Sequence, residues 1–285
     1  MIIWLASYPK SGNTWIRSFL SSLMFTKNGI ANFNTIKKIS QYPLRSHFRG
    51  LCTNLDNINE LSKNWVPSQD LLNLDNKVKF FKTHHLMCNF GKNSFTNYNN
   101  TLGVIHIVRD PRNIITSILN HFSKENYLDA KNFLFEEKKI LGINPDLKME
   151  EKLEDHNILT LVSSWKTHYN SWKTFEKNYL LIKYENLVND TENEFNKIRK
   201  YLSEKINLNF EDQKFQNSIE TNLFKNLKRM EKSEDFPESP TDSNNKKINF
   251  FNLGPQNDFK KILDKDISSE IENRFRSEMK ELGYI

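Results

Sequence analysis

The chain has 285 residues, of which 37% are hydrophobic, 12% aromatic and 27% charged; this suits a soluble globular fold and excludes a fibrous or fully disordered one. A net charge of +6 and a pI near 9.0 permit an anionic partner. The basic residues are interleaved with acidic ones, as in Lys228-Arg229-Met230-Glu231-Lys232, and no nucleic-acid motif is present, so no nucleic-acid partner is expected.

No apolar run reaches the roughly 20 residues of a membrane span. The short run Ile2–Ala6 lacks a preceding basic region, which argues against a secretory leader. Cys52 and Cys88 make no disulfide framework and read as reduced thiols, so a cytoplasmic protein is expected.

Ile2–Ala6 predicts a first strand. A helix over Thr14–Met24 follows, with Trp15, Ile16, Phe19, Leu20 and Leu23 at helical spacing. Residues 26–76 are Asn-rich, with short helices at most. Lys77–Thr83 and Gly103–Val108 read as second and third strands, and a helix over Ile114–Phe122 follows Asp110-Pro111. Residues 127–155 predict a charged, peripheral, helical stretch, and Ile158–Phe175 a long amphipathic helix. Tyr179–Tyr184 is a fourth strand and Thr191–Leu202 another helix. The polar stretch within 232–250 is expected to be a mobile loop.

Strands separated by helices imply parallel crossovers. The expected fold is α/β, in three layers, with a central, mostly parallel sheet flanked by helices. No repeat or composition break divides the chain, so 1–285 is expected to be one domain.

The first strand runs into Tyr8-Pro9-Lys10-Ser11-Gly12-Asn13-Thr14-Trp15. A strand, a glycine turn and a helix start point backbone N–H groups at an anion. Lys10 adds a positive charge, Ser11 and Thr14 add hydroxyls, and Trp15 offers a face that stacks on a base or packs in the core. The loop departs twice from the nucleoside-triphosphate pattern G-x-x-x-x-G-K-[ST]: Ser7 stands at the first Gly and Asn13 at the Lys. Alone, it reads equally well as an ordinary strand–turn–helix junction.

Further motifs change that balance. The loop resembles the 5′-phosphosulfate loop of sulfotransferases that use 3′-phosphoadenosine 5′-phosphosulfate (PAPS). Phe81-Lys82-Thr83-His84 resembles the segment carrying that family's catalytic histidine. Val108-Arg109-Asp110-Pro111-Arg112-Asn113, continuing to Ser117, is similar to its 3′-phosphate segment. Ser164-Trp165, Trp172 and Lys183-Tyr184-Glu185-Asn186-Leu187 match later landmarks, so the resemblance spans about residues 1–205 in order.

The resemblance implies a P-loop-like architecture and sulfuryl transfer from PAPS to a hydroxyl, leaving 3′-phosphoadenosine 5′-phosphate (PAP). His84 is implied as general base and Lys10 as the charge that stabilises the departing phosphate, with Lys82 supporting the sulfuryl oxygens. Lys10, Ser11, Gly12, Asn13, Thr14, Trp15, Arg109, Ser117, Tyr184 and Gly254 are implied to hold the donor, without a metal. A histidine titrating near neutrality suits proton abstraction, and a guanidinium fork suits a phosphate.

The residues themselves leave alternatives. His85 is the neighbouring candidate base, and strand alternation admits only one of the pair unless the strand has ended. A zinc site on His84, His85 and Cys88 lacks a fourth ligand. Taken alone, Arg109 is better explained by a salt bridge to Asp110 or a helix-terminus contact, and Arg112 is expected to face solvent. Trp165, Trp172 and His168 are expected to be structural.

One departure stands out. Where the family has an Arg-Lys-Gly run and then Gly-Asp-Trp, this chain reads Phe251-Asn252-Leu253-Gly254-Pro255-Gln256-Asn257-Asp258-Phe259. Asn252 and Leu253 replace the basic pair, leaving Lys246, Lys247 or Lys260 as substitutes. Two rival functions remain: a degenerate P-loop kinase or NTPase, which lacks its lysine and a clear acidic Mg²⁺ ligand, and a non-catalytic nucleotide-binding module, against which Lys10 and His84 both argue. The acceptor, a small molecule, glycan or lipid, would meet residues in 26–76, 127–156 and 218–250; oligomeric state leaves no signature.

Overall fold

In the computed structural model, residues 1–122, 126–142, 154–234, 236, 238, 239 and 247–285 are described. Four strands, β1 (Ile2–Ser7), β2 (Lys79–Thr83), β3 (Thr101–Val108) and β4 (Tyr179–Lys183), form a parallel sheet in the order β2-β1-β3-β4. Seven helices matter below: α1 (Asn13–Phe25), α2 (Trp65–Asn73), α3 (Pro111–His121), α4 (Trp165–Ser171), α5 (Tyr184–Asn189), α6 (Thr191–Ile206) and α7 (Phe224–Ser233). The expected α/β class with a central parallel sheet is therefore observed.

Two compact units divide the chain. The first takes Met1–Tyr8, Ser40–His106 and Glu136–Leu181; the second takes Pro9–Ile39, Ile107–Phe135 and Ile182–Ile285. In the first unit, every residue of β1 is buried, as expected for a parallel strand covered on both faces. Alternation sends Ile2, Trp4 and Ala6 into one cluster with Tyr42, Trp65, Phe81, Phe95 and Trp172. Trp4 meets Tyr42 edge-on at 5.4 Å, and its indole N–H reaches Thr101 Oγ1 at 3.0 Å. Gln69 on α2 donates to the Phe95 carbonyl at 2.7 Å, so the buried amide is not left unsatisfied.

The second unit is organised by α1. Phe19 stacks on Phe195 of α6 at 3.7 Å, with ring planes 5° apart, and meets Phe215 edge-on. Arg17 on the same helix is buried and neutralised by Glu238 at 2.7 Å.

Three expectations are corrected. Ile158–Phe175 is not one helix: Thr160–Leu161 pairs antiparallel with Ile140–Leu141, and a separate α4 is followed by a 3-10 turn, Trp172–Asn178. The break lies at Ser163, with φ of 62°, and at Ser164, whose side chain caps α4 by accepting from Thr167 N–H. The apolar run before it is too short for its period to separate strand from helix. Among the described residues of 127–155, the helix is Tyr127–Phe135, where Ala130, Phe133 and Leu134 are buried rather than peripheral; residues 143–153 lie outside the described residues. The fourth strand stops at Lys183, and Tyr184 begins α5. Of the expected loop at 232–250, residues 235, 237 and 240–246 lie outside the described residues.

Candidate active site

From β1 the chain runs to β2 on one side, and β3 lies on the other. The strand order therefore reverses at β1, and in such sheets ligands bind beyond the C-terminal strand ends at that point. Of the residues singled out by sequence, the loop from Lys10 follows β1, His84 follows β2, Arg109 follows β3 and Tyr184 follows β4.

In the first unit, β2 ends at Thr83, so His84 and His85 lie past the strand and their environments are set by packing. His85 is fully buried, stacked on Phe95 at 3.9 Å and 4°. Its Nδ1 meets the Leu86 carbonyl at 2.6 Å. Burial pushes its pKa down to about 3, so it is a neutral core histidine.

His84 is half-buried, and its Nδ1 lies 2.7 Å from the Ser7 carbonyl and 3.2 Å from Ser7 Oγ. A carbonyl only accepts, so Nδ1 carries the proton and the basic lone pair of the neutral ring is on Nε2. Beneath it, His168 Nε2 donates to the His84 carbonyl at 3.2 Å, and Trp172 Nε1 donates to the His85 carbonyl at 3.0 Å. Burial lowers the His168 pKa to about 3. Both of these side chains are buried supports of the 84–85 backbone. Lys82, two residues before His84, is half-buried.

The second unit holds the loop after β1. Lys10 has φ of 68° and Gly12 has φ of 102°, and this pair of left-handed residues turns the chain into α1. Gly12 is the N-cap of α1, no side chain caps it, and its first turn contains no acidic residue. The positive end of the helix thus stays unneutralised by its own sequence. Ser11 Oγ, fully buried, has no hydrogen-bond partner. Asn13 and Thr14 are buried in the first turn, and the Lys10 ammonium lies 4.6 Å over the Phe250 ring.

Arg109 follows β3 and is 6% exposed. Its Nη1 donates to the Lys10 carbonyl at 3.1 Å, its guanidinium stacks 4.1 Å over the Tyr184 ring, and its Nε has no partner. The Asp110 alternative fails because Arg112 holds that carboxylate at 2.6 Å. Arg112, expected to face solvent, is buried; it also pairs with Glu272 at 2.5 Å and stacks on Phe259 at 4.0 Å. Apart from Asp110, its partners come from more than 140 residues away, beyond any local pattern.

The aromatic residues continue from Arg109. Tyr184 meets Trp15 edge-on at 5.8 Å, and Trp15 meets Phe224 of α7 at 5.6 Å. The Trp15 indole donates to the Asn222 carbonyl at 2.7 Å. Gly254, with φ of 52°, lies so close to Phe224 that an added Cβ would come within 2.0 Å of the ring. Lys10, Gly12, Trp15, Arg109, Tyr184 and Gly254 are thus linked within one unit. Ser117 is half-buried in the second turn of α3 and, among the described residues, makes no side-chain hydrogen bond to that group.

Phe224 and Lys228 escaped the motif search because neither belongs to a signature. They are four apart on α7 and so share a face, and Lys228 donates to the Asn252 carbonyl at 2.9 Å, at the place of the missing basic pair. Asn252, Leu253 and Lys260 are exposed, and Lys246 lies outside the described residues. The 254–259 turn is pinned to α3: Asn257 donates to the Asn113 carbonyl at 2.8 Å, and Phe259 N–H to Asn113 Oδ1 at 3.0 Å.

Among the described residues, no helix is long and apolar enough to cross a membrane, and no cluster of three or more His, Cys, Asp or Glu side chains could hold a metal ion. A family model described as a sulfotransferase domain matches residues 2–283. Human sulfotransferase 2A1 is 26% identical over an alignment of 230 residues that covers 77% of this chain and 67% of that protein. Among solved structures, mouse sulfotransferase SULT7A1 complexed with PAP aligns with a TM-score of 0.57 at 16% identity, covering 97% of this chain and 83% of that one. Retinol dehydratase in complex with androsterone and inactive cofactor PAP aligns with a TM-score of 0.59 at 15% identity, covering 98% and 80%.

Proposed function

The chain belongs to the sulfotransferase domain family, and from that premise we propose that it transfers a sulfuryl group from PAPS to a hydroxyl acceptor. The observation that carries the donor reading is a pair of buried, unpartnered donors, Ser11 Oγ and Arg109 Nε, in the unit that holds the uncapped start of α1. A buried donor without a partner costs roughly 1–3 kcal/mol, a penalty that anionic oxygens relieve. Two structures similar to this chain are complexes with PAP, which supports the same donor.

The donor brings an activated sulfuryl group bonded to a phosphate leaving group. The acceptor oxygen bonds to sulfur, the sulfur–phosphate oxygen bond breaks, and the acceptor proton passes to His84 Nε2. Holding Nδ1–H on the Ser7 carbonyl sets the tautomer this transfer needs. Lys10 offsets charge that grows on the departing phosphate, an interaction stronger in the transition state than before it. Lys82 supports the sulfuryl oxygens.

Arg109 and Ser117 take the 3′-phosphate, and Lys228 adds a cation at the turn that lacks the basic pair. Ser11, Gly12, Asn13 and Thr14 hold the 5′ end. Trp15 and Tyr184, extended by Phe224, bound the base, and Gly254 contributes backbone. We read 1–285 as one domain acting in the cytoplasm on a small-molecule, glycan or lipid hydroxyl; the family model running across both units supports the single domain.

A thermal-shift titration tests the reading, because a ligand that binds the native state raises the melting temperature. The expected result is stabilisation by 3′,5′-bisphosphoadenosine without magnesium and little by ATP with magnesium. Stronger stabilisation by Mg-ATP would refute the proposal and favour a P-loop NTPase.

A further inference from the structure

Tyr284 lies outside every motif, yet it is tied to the neighbours of two proposed donor-binding residues. Its hydroxyl donates to Glu185 Oε2 at 2.9 Å. The other carboxylate oxygen, Glu185 Oε1, accepts the Asp110 N–H at 2.9 Å. The Tyr284 carbonyl accepts from Arg112 Nη2 at 2.8 Å. Lys183 places its ammonium 4.8 Å over the Tyr284 ring and also donates to the Leu282 carbonyl.

Tyr284 therefore touches the residues on both sides of Tyr184. It also reaches the turn after Arg109 twice, through Glu185 to Asp110 and directly to Arg112. Burial, with Glu185 alongside, holds the phenol pKa well above its ordinary value, so the hydroxyl remains a donor.

We propose that Tyr284 is a positioning residue for Arg109. It ties the turn at 109–112 to the turn at 183–185, so that the guanidinium is held on the Tyr184 ring, and thereby sets the preference for a 3′-phosphorylated nucleotide. A free arginine side chain loses rotamer entropy when it is fixed, and fixing it before binding removes part of that cost. The brace matters more here because Asn252 and Leu253, beside Gly254, supply no charge. This inference rests on the assignment of Arg109 to the 3′-phosphate.

The test measures dissociation constants for 3′,5′-bisphosphoadenosine and adenosine 5′-phosphate, by calorimetry, on wild type, Tyr284→Phe and Glu185→Ala. Wild type is expected to prefer the bisphosphate. In both variants that preference should shrink on the order of tenfold, the effect of one hydrogen bond to a charged group, while binding of adenosine 5′-phosphate stays within about twofold. A purely structural role would weaken both ligands together.

An unchanged preference in both variants, or parallel weakening of both ligands, would overturn the inference. Wild type binding the two nucleotides equally would instead overturn the Arg109 assignment, and this inference with it.

Discussion

Replacing Gly12 with Ala tests the geometry of the loop directly. Gly12 has φ of 102°, and an added Cβ would stand 2.5 Å from Tyr184 Cδ2 and 3.1 Å from Cε2. The backbone conformation costs an L-residue roughly 1–2 kcal/mol. The collision adds about 1–3 kcal/mol of overpacking, since the Tyr184 ring cannot retreat freely with Arg109 on its face and Trp15 at its edge. Losing glycine's freedom in the unfolded chain returns about 0.4–1 kcal/mol. The net destabilisation is about 1–4.5 kcal/mol, which at roughly 2–4 °C per kcal/mol for a large domain lowers the melting temperature by about 2–18 °C.

Circular dichroism melts of Gly12→Ala in wild-type and Tyr184→Ala backgrounds separate the two contributions. Without the ring, the substitution should cost only its backbone share, leaving a coupling of about 1–3 kcal/mol. Equal costs in the two backgrounds would refute the collision, and a melt unchanged from wild type would refute the left-handed turn as well.

Lys10→Ala and His84→Ala should lower kcat much more than they raise the KM for donor, with His84→Ala losing about 10²–10⁴-fold; stopped assays with labelled PAPS measure this, and a kcat near wild type in His84→Ala would remove His84 as the base. Acid should unfold the protein through its buried histidines. His85 and His168 are held neutral with pKa values of about 3, while in the unfolded chain they titrate near 6.5. Above pH 6.5 their neutrality costs nothing; as the pH falls from 6.5 towards 3, only the unfolded chain gains protons, and stability drops by up to about 1.4 kcal/mol per pH unit for each. Denaturant midpoints should therefore fall steadily below pH 6.5, with a shallower slope in His85→Phe. An identical slope in that variant would refute the assignment.

The parts legible in the sequence were local. The switch from the apolar run Ile2–Ala6 to helical spacing after Thr14 located β1, the loop and α1 within a residue or two. Pro111 and the Asp110 cap marked the start of α3. Illegible parts depended on distant partners. Which of His84 and His85 enters the core was decided by Phe95 and Trp65, and strand alternation could not say so because the strand had already ended. Arg112 looked exposed because its partners Glu272, Phe259 and Tyr284 lie far along the chain. The helix expected over Ile158–Phe175 is interrupted by the left-handed Ser163 and the N-cap Ser164, and helical spacing of the apolar residues on either side does not register such a break.

The His84 Nδ1–H is held by a main-chain carbonyl, that of Ser7. It fixes the ring without placing a second anion beside oxygens that already carry negative charge, so it does not repel the donor that the proposed reaction requires. It also belongs to the last residue of a fully buried strand. A substitution at position 7 leaves that carbonyl in the chain and removes only the longer contact from Ser7 Oγ, so orientation of the proposed base is encoded chiefly in the path of β1.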